Sequence, residues 1–118
     1  MSAAEPLRSH VTTHVLDTVT GRPAAGVTVT LEQRVGTAWA SVATGETDVD
    51  GRLAALGPAA LPAGRYRIGF DTGAWCASLG RATFYPEVTI TFDLADVGEH
   101  YHVPLLLGPF AYSTYRGS

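Results

Sequence analysis

His14, in the stretch THVLD, and His102, in HYHVP, each sit in a run of alternating side chains. Histidine is the residue whose ordinary pKa, roughly 6.5, permits proton transfer near neutral pH. Two imidazoles on one face, joined by an arginine, could take a proton from water and steady a developing oxyanion. Parity says which face they share. Over 100–107, Tyr101, Val103, Leu105 and Leu107 make the better core face, and His102, Pro104 and Leu106 oppose them. In the first run Val11 and Val15 suit the core, which leaves Thr12, His14 and Leu16 opposite. In the last run Ser113 and Tyr115 share a face. A wetted sheet face normally shows polar residues. Leu16, Pro104 and Leu106 beside two histidines instead predict a covered face, and a second copy of the same chain is the simplest cover. The histidines are therefore expected in a subunit interface or a cleft made by one. Periodicity alone does not make their strands neighbours.

Other chemistries fare less well. His10, His14, His100 and His102 invite a zinc site. Positions four apart on a strand lie about 13 Å from each other, and no cysteine pair supports a metal, so none is expected. Asp48-Val49-Asp50-Gly51 resembles part of a calcium loop, but the remaining ligands and closing glutamate are missing, and a turn is the better reading. Cys76 has no nucleophile motif around it and reads as a packed thiol. Arg65 and Arg67 share a solvated face, and His100 reads as a surface or interface residue without a chemical role.

The elements that must position these residues are short strands. Val27, Val29 and Leu31 alternate with Thr28, Thr30 and Glu32. Tyr66, Ile68 and Phe70 alternate with Arg65, Arg67 and Gly69, and Val88, Ile90, Phe92 and Leu94 with Thr89, Thr91 and Asp93. Turn signals separate the runs. With 9–17, 37–46, 51–56, 100–107 and 110–116 added, seven or eight strands result, at the spacing of an antiparallel β-sandwich. The stretch 72–80 lacks strict alternation and suits one short helix. The 118 residues predict a single domain, 1–118, that folds without staples. A hydrophobic content of 46% against 16% charged residues favours a globular chain over a disordered one. The net charge of −3 and the lack of a basic run argue against nucleic-acid or membrane-surface binding. With one cysteine, and an opening that lacks an apolar signal region, a soluble intracellular protein is the default.

The segments THVLDTVTGRPAAGVTVTLE, TDVDGR, YRIGFDTGAW, FYPEVTITF and HYHVPLLLGPFAYSTYRGS together resemble the 5-hydroxyisourate hydrolases of the transthyretin-like family, from about residue 10 onward. The closing Tyr115-Arg116-Gly117-Ser118 is the most specific mark. The resemblance implies an all-β, transthyretin-like sandwich of two four-stranded sheets with one short helix. It also implies a homotetramer, a dimer of dimers with active sites at the dimer–dimer interface, acting in the cytoplasm without cofactor or metal. The reaction it implies opens the six-membered ring of 5-hydroxyisourate at an amide C–N bond. By the same resemblance His14, His102, Arg52 and Ser118 are catalytic, and His14, Arg52, Tyr115, Arg116, Gly117 and Ser118 bind substrate. Arg52 by itself would read as a solvated hairpin residue. Either histidine serves as base on this reading, so activity should fall below about pH 6. A transthyretin-like carrier of a thyroid-hormone type ligand is the competing function. It has no need for paired imidazoles or a YRGS ending.

Overall fold

The alternation in Thr28–Val35 (β3) and Gly64–Phe70 (β6) becomes one half of the core in the computed structural model, which describes residues 8–118. These strands pair antiparallel with Leu31 opposite Ile68 and Val29 opposite Phe70. Val88–Leu94 (β7) pairs with β6, setting Ile90 beside Ile68 and Phe92 beside Tyr66. Ala38–Glu46 (β4) completes a sheet ordered β4-β3-β6-β7. Val29, Leu31, Tyr66 and Ile68 are fully buried, as β-strands with one apolar face require. Ile90 and Phe92 share that face but are only half-buried, because β7 is the sheet edge.

The second sheet is built around Val11–Asp17 (β1). Leu105–Leu107 (β9) runs parallel to β1, and Tyr112–Thr114 (β10) pairs antiparallel with β9. Arg22–Pro23 (β2) lies on the other side of β1. Arg52–Leu53 (β5) and Tyr101–His102 (β8) add two residues each to β1. The architecture is thus the all-β arrangement expected, with this sheet counting six strands rather than four. Its inner face contributes Val11, Val15, Leu105 and Leu107 to a core shared with the other sheet.

Three strands are shorter than the sequence predicts, each for a local reason. The run 100–107 breaks into β8 and β9 at Val103–Pro104, since proline has no N–H for the ladder. Thr13 Oγ1 donates instead to the Val103 carbonyl at 2.6 Å. The run 51–56 stops after Leu53 because Ser9 takes over. Its hydroxyl donates to the Ala54 carbonyl at 2.7 Å and accepts from the Leu56 N–H at 2.8 Å. The run 110–116 keeps only Tyr112–Thr114, and Gly117 then makes an isolated bridge with His102.

The helix (α1) covers Thr72–Ser78, with Asp71 accepting from the Ala74 N–H at its start. Trp75 and Cys76 are buried beneath it, and Trp75 Nε1 donates to the Ala25 carbonyl at 2.8 Å. Asp17, at the end of β1, is buried and paired with Arg81 at 2.8 Å, which ties the segment after the helix to the second sheet.

Candidate active site

The outward-facing residues of β1 are Thr12, His14 and Leu16, and each neighbouring strand adds a side chain to that face. Arg52 stands opposite His14, and His102 stands opposite Thr12. His14 and His102 are therefore diagonal neighbours, with Cα atoms roughly 8 Å apart given the spacing and rise of strands. That leaves room for two imidazoles to bracket a small planar ligand or a water. Leu106 lies opposite both Leu16 and Ser113, extending the face away from the histidines.

Arg52 is delivered by the turn before it. Asp48 accepts from the N–H groups of Asp50 and Arg52 at 2.9 and 3.0 Å, so its carboxylate is engaged by the turn itself. Gly51 has φ of +72°, and a Cβ there would collide with the Val15 carbonyl oxygen. Only glycine lets β5 press so closely on β1. Among the described residues Arg52 makes no ion pair, which leaves its planar fork of donors free.

The closing residues are docked. The Gly117 N–H donates to the His102 carbonyl at 2.8 Å, and a Cβ on Gly117 would stand 2.5 Å from His102 Cδ2. The backbone thus lies flush against the imidazole edge. Ser118 follows into a cavity of about 180 Å³ that it lines with Thr12, Arg52, His100 and His102. Tyr115 and Arg116 lie elsewhere. They line a second cavity of about 270 Å³ with Ile90, Phe92 and Tyr101, on the other side of His102. Arg116 is bonded to Glu99 at 2.8 Å, and its guanidinium sits 4.5 Å above the Tyr101 ring. In the single chain, then, Arg52, His102 and Ser118 share one cavity with His14 beside it, whereas Tyr115 and Arg116 do not join them. Two larger cavities, about 510 and 410 Å³, lie on the other sheet, and neither is lined by an imidazole or thiol.

Burial and nearby charges favour the neutral form of the central ring. Burial lowers the pKa of His102, and the nearby charges of Arg52, His14 and Arg8 lower it further, against a smaller opposing effect of the Thr12 backbone. His100 is lowered in the same way, by burial first and then by Arg8, His102 and His10. His10 takes no part. Its Nδ1 accepts from the Leu61 N–H at 2.9 Å, which leaves Nε2–H to donate to the Glu99 carbonyl at 2.7 Å. Among the described residues no group of three or more His, Cys, Asp or Glu side chains is placed to hold a metal ion.

Two residues at the site escaped the sequence reading. Thr12 Oγ1 lies 2.8 Å from His102 Nδ1 and 3.0 Å from His100 Nε2, and the two rings stack 6.3 Å apart. Period-two parity already placed Thr12 with His14 and His100 with His102, so the signal was present. A threonine in a strand carries no mark of chemistry by itself.

The likenesses to known proteins bear on the family and the fold. A family model described as the HIUase/Transthyretin family matches residues 11–117. The 5-hydroxyisourate hydrolase of Salmonella typhimurium is 51% identical over 107 residues, covering 89% of this chain and 78% of that protein. The solved 5-hydroxyisourate hydrolase of Klebsiella pneumoniae superposes with a TM-score of 0.82 at 44% identity, covering 92% of this chain and 98% of that one. Transthyretin from Sparus aurata superposes with a TM-score of 0.85 at 34% identity, covering 93% and 97%. With nearly its whole length matched, this chain belongs to the HIUase/Transthyretin family.

Proposed function

We propose that this chain hydrolyses 5-hydroxyisourate, opening the six-membered ring at an amide C–N bond to give 2-oxo-4-hydroxy-4-carboxy-5-ureidoimidazoline in urate breakdown. The observation that carries this reading is the convergence of Arg52, His102 and Ser118 on one cavity, with His14 alongside. One neutral imidazole takes a proton from water as its oxygen attacks the ring carbonyl. Arg52 offers parallel donors to the oxygen-rich planar ring and to the charge that grows on the attacked oxygen. Ser118 adds a hydroxyl for positioning. The names of relatives 40–51% identical favour hydrolysis over a carrier role, and the likeness to transthyretin is one of fold.

The working form on this reading is a homotetramer in the cytoplasm. A cavity of 180 Å³ falls short of the ~300–1,000 Å³ typical of sites that enclose a ligand. A neighbouring copy laid on Leu16 and Leu106 would supply the missing wall. Phe84, Phe110 and Tyr112, all exposed near the β10 edge, give such a contact apolar area.

The test is to generate 5-hydroxyisourate with urate oxidase and follow its ultraviolet absorbance. Decay should quicken in proportion to added protein. Decay at the spontaneous rate with micromolar protein would end the proposal.

A further inference from the structure

The hydroxyl of Thr12 has one proton and two imidazole neighbours, so it can donate to only one of them. It lies 2.8 Å from His102 Nδ1 and 3.0 Å from His100 Nε2. Two arrangements satisfy both contacts and also give the Thr12 proton an acceptor; a third, with Thr12 accepting from both rings, leaves that buried proton with no acceptor among the described residues. In the first, Thr12 donates to His102 Nδ1 and accepts from His100 Nε2–H. In the second, every proton is reversed, so that both rings carry hydrogen on Nδ1.

The other nitrogen of His100 chooses between them. Among the described residues His100 Nδ1 is buried with no hydrogen-bonding partner. The second arrangement would put a proton there, and an orphaned buried N–H is the rarer and costlier defect. It would also force both rings out of the Nε2–H form that neutral imidazoles of histidine prefer.

We infer that Thr12 and His100 are positioning residues that hold His102 as its neutral Nε2–H tautomer, so that His102 donates a hydrogen bond to the attacked carbonyl oxygen and His14 is the base. The inference rests on the hydrolase reading for its chemistry, though not for its geometry. The proton balance is simple. A ring nitrogen of His14 takes one proton from water as the hydroxide oxygen bonds to the carbonyl carbon. When the C–N bond breaks, the same proton passes from His14 to the leaving nitrogen. His102 Nε2–H strengthens its hydrogen bond as the oxyanion forms and keeps its proton throughout. The one lone pair of this tautomer is on Nδ1, where it is taken up by Thr12, so the base is the other ring.

The wild-type full-length protein tests this without substrate. With 15N-labelled histidine, the ring nitrogen shifts of His102, assigned by comparison with His102→Asn, report which nitrogen carries hydrogen at pH 7.5. Protonated Nε2 and bare Nδ1 are expected. The reverse pattern would overturn the inference while leaving the hydrolase proposal intact. Thr12→Val removes the hydroxyl at nearly constant volume and should give a mixture of tautomers. Its kcat should fall roughly tenfold with KM little changed, because a ring partly in the other form loses part of an oxyanion donor worth ~10²–10³ in rate. His100→Gln places an amide donor near the position of Nε2 and should keep most of kcat, whereas His100→Leu should match Thr12→Val. Equal activity of the Gln and Leu variants, with both well folded by circular dichroism, would also count against a positioning role.

Discussion

The two sheets share one core and differ in almost everything else. In β4-β3-β6-β7 the strands are seven to nine residues long and wholly antiparallel. Two arginines on the outer face of that sheet are paired there, Arg67 with Glu32 at 2.8 Å and Arg65 with Asp93 at 3.2 Å. The sheet around β1 is assembled from fragments of two and three residues, two of them parallel to it. Its outer face holds Arg52, which makes no ion pair among the described residues, and two half-buried imidazoles. A long strand fixes many residues at one regular spacing. Fragments allow side chains from distant parts of the sequence to meet over one strand. The broken sheet pays for this in ladder hydrogen bonds, some of which Ser9 and Thr13 replace from their side chains.

One glycine from each sheet makes the sharpest test. Gly117→Ala would put a methyl group 2.5 Å from His102 Cδ2, so either the ring or the closing segment must move. Displacing a reacting group by about 1 Å can cost on the order of 10² in rate. A loss of that size in kcat/KM is expected, with little change in melting temperature because the segment lies outside the core. Gly69→Ala, on the outer face of β6, would meet only Thr30 Oγ1 at 3.3 Å, and its kinetics should match wild type. If Gly117→Ala hydrolysed substrate at the full rate, the docking of Gly117 against His102 would have no part in catalysis.

The same contrast explains what was legible in the sequence. Core residues of the long sheet follow period two, and Val29, Leu31, Tyr66, Ile68 and Phe70 are buried as alternation requires. Ile90 and Phe92 obey parity but are half-covered, since parity gives a face and not a place in the strand order. In the broken sheet parity still sorted Thr12, His14, Leu16 and His102 onto one side. It failed where the backbone leaves the ladder. Pro104 is buried rather than exposed at the outer face, and Tyr115 departs from Ser113 to line a cavity with Ile90 and Phe92. The pairing of Arg52 with His14 depends on contacts nearly forty positions apart, and here only the family resemblance pointed to it. Thr12 and His100 needed atomic distances.

Acid should unfold the chain by way of the broken sheet. His100 and His102 both have pKa values below the ordinary 6.5, each through burial first. The unfolded chain therefore binds more protons than the folded one as pH drops below about 6.5, and stability rises with pH across that window. It should be fully present above 6.5, decline as pH falls toward the folded values, and level off below them with respect to these two rings. Urea unfolding at pH 7.5, 6 and 5 measures this. Arg52→Gln removes one of the charges that lower the His102 pKa, so its NMR titration midpoint should move up and the acid loss of stability should shrink. An unchanged midpoint would mean that Arg52 does not act electrostatically on that ring.

The smallest effect is expected from an arginine on the opposite sheet. Arg65 and Arg52 are alike on paper: each follows a glycine, each lies on a strand next to a core residue, and each faces outward. Arg65 is paired with Asp93 while both side chains remain more than half exposed, at 58% and 67%. Exposed pairs of this kind contribute about 0–1 kcal/mol. Arg65→Ala should therefore leave kcat/KM unchanged and shift stability within that range, more at low salt than at high. Arg52→Ala should act the other way round, leaving the fold nearly as stable because Arg52 makes no ion pair among the described residues, and removing donors the substrate needs. Measured side by side, the two substitutions separate a charge that is satisfied within its own sheet from one held in reserve. If Arg65→Ala slowed turnover as much as Arg52→Ala, the assignment of chemistry to the fragmented sheet would be wrong.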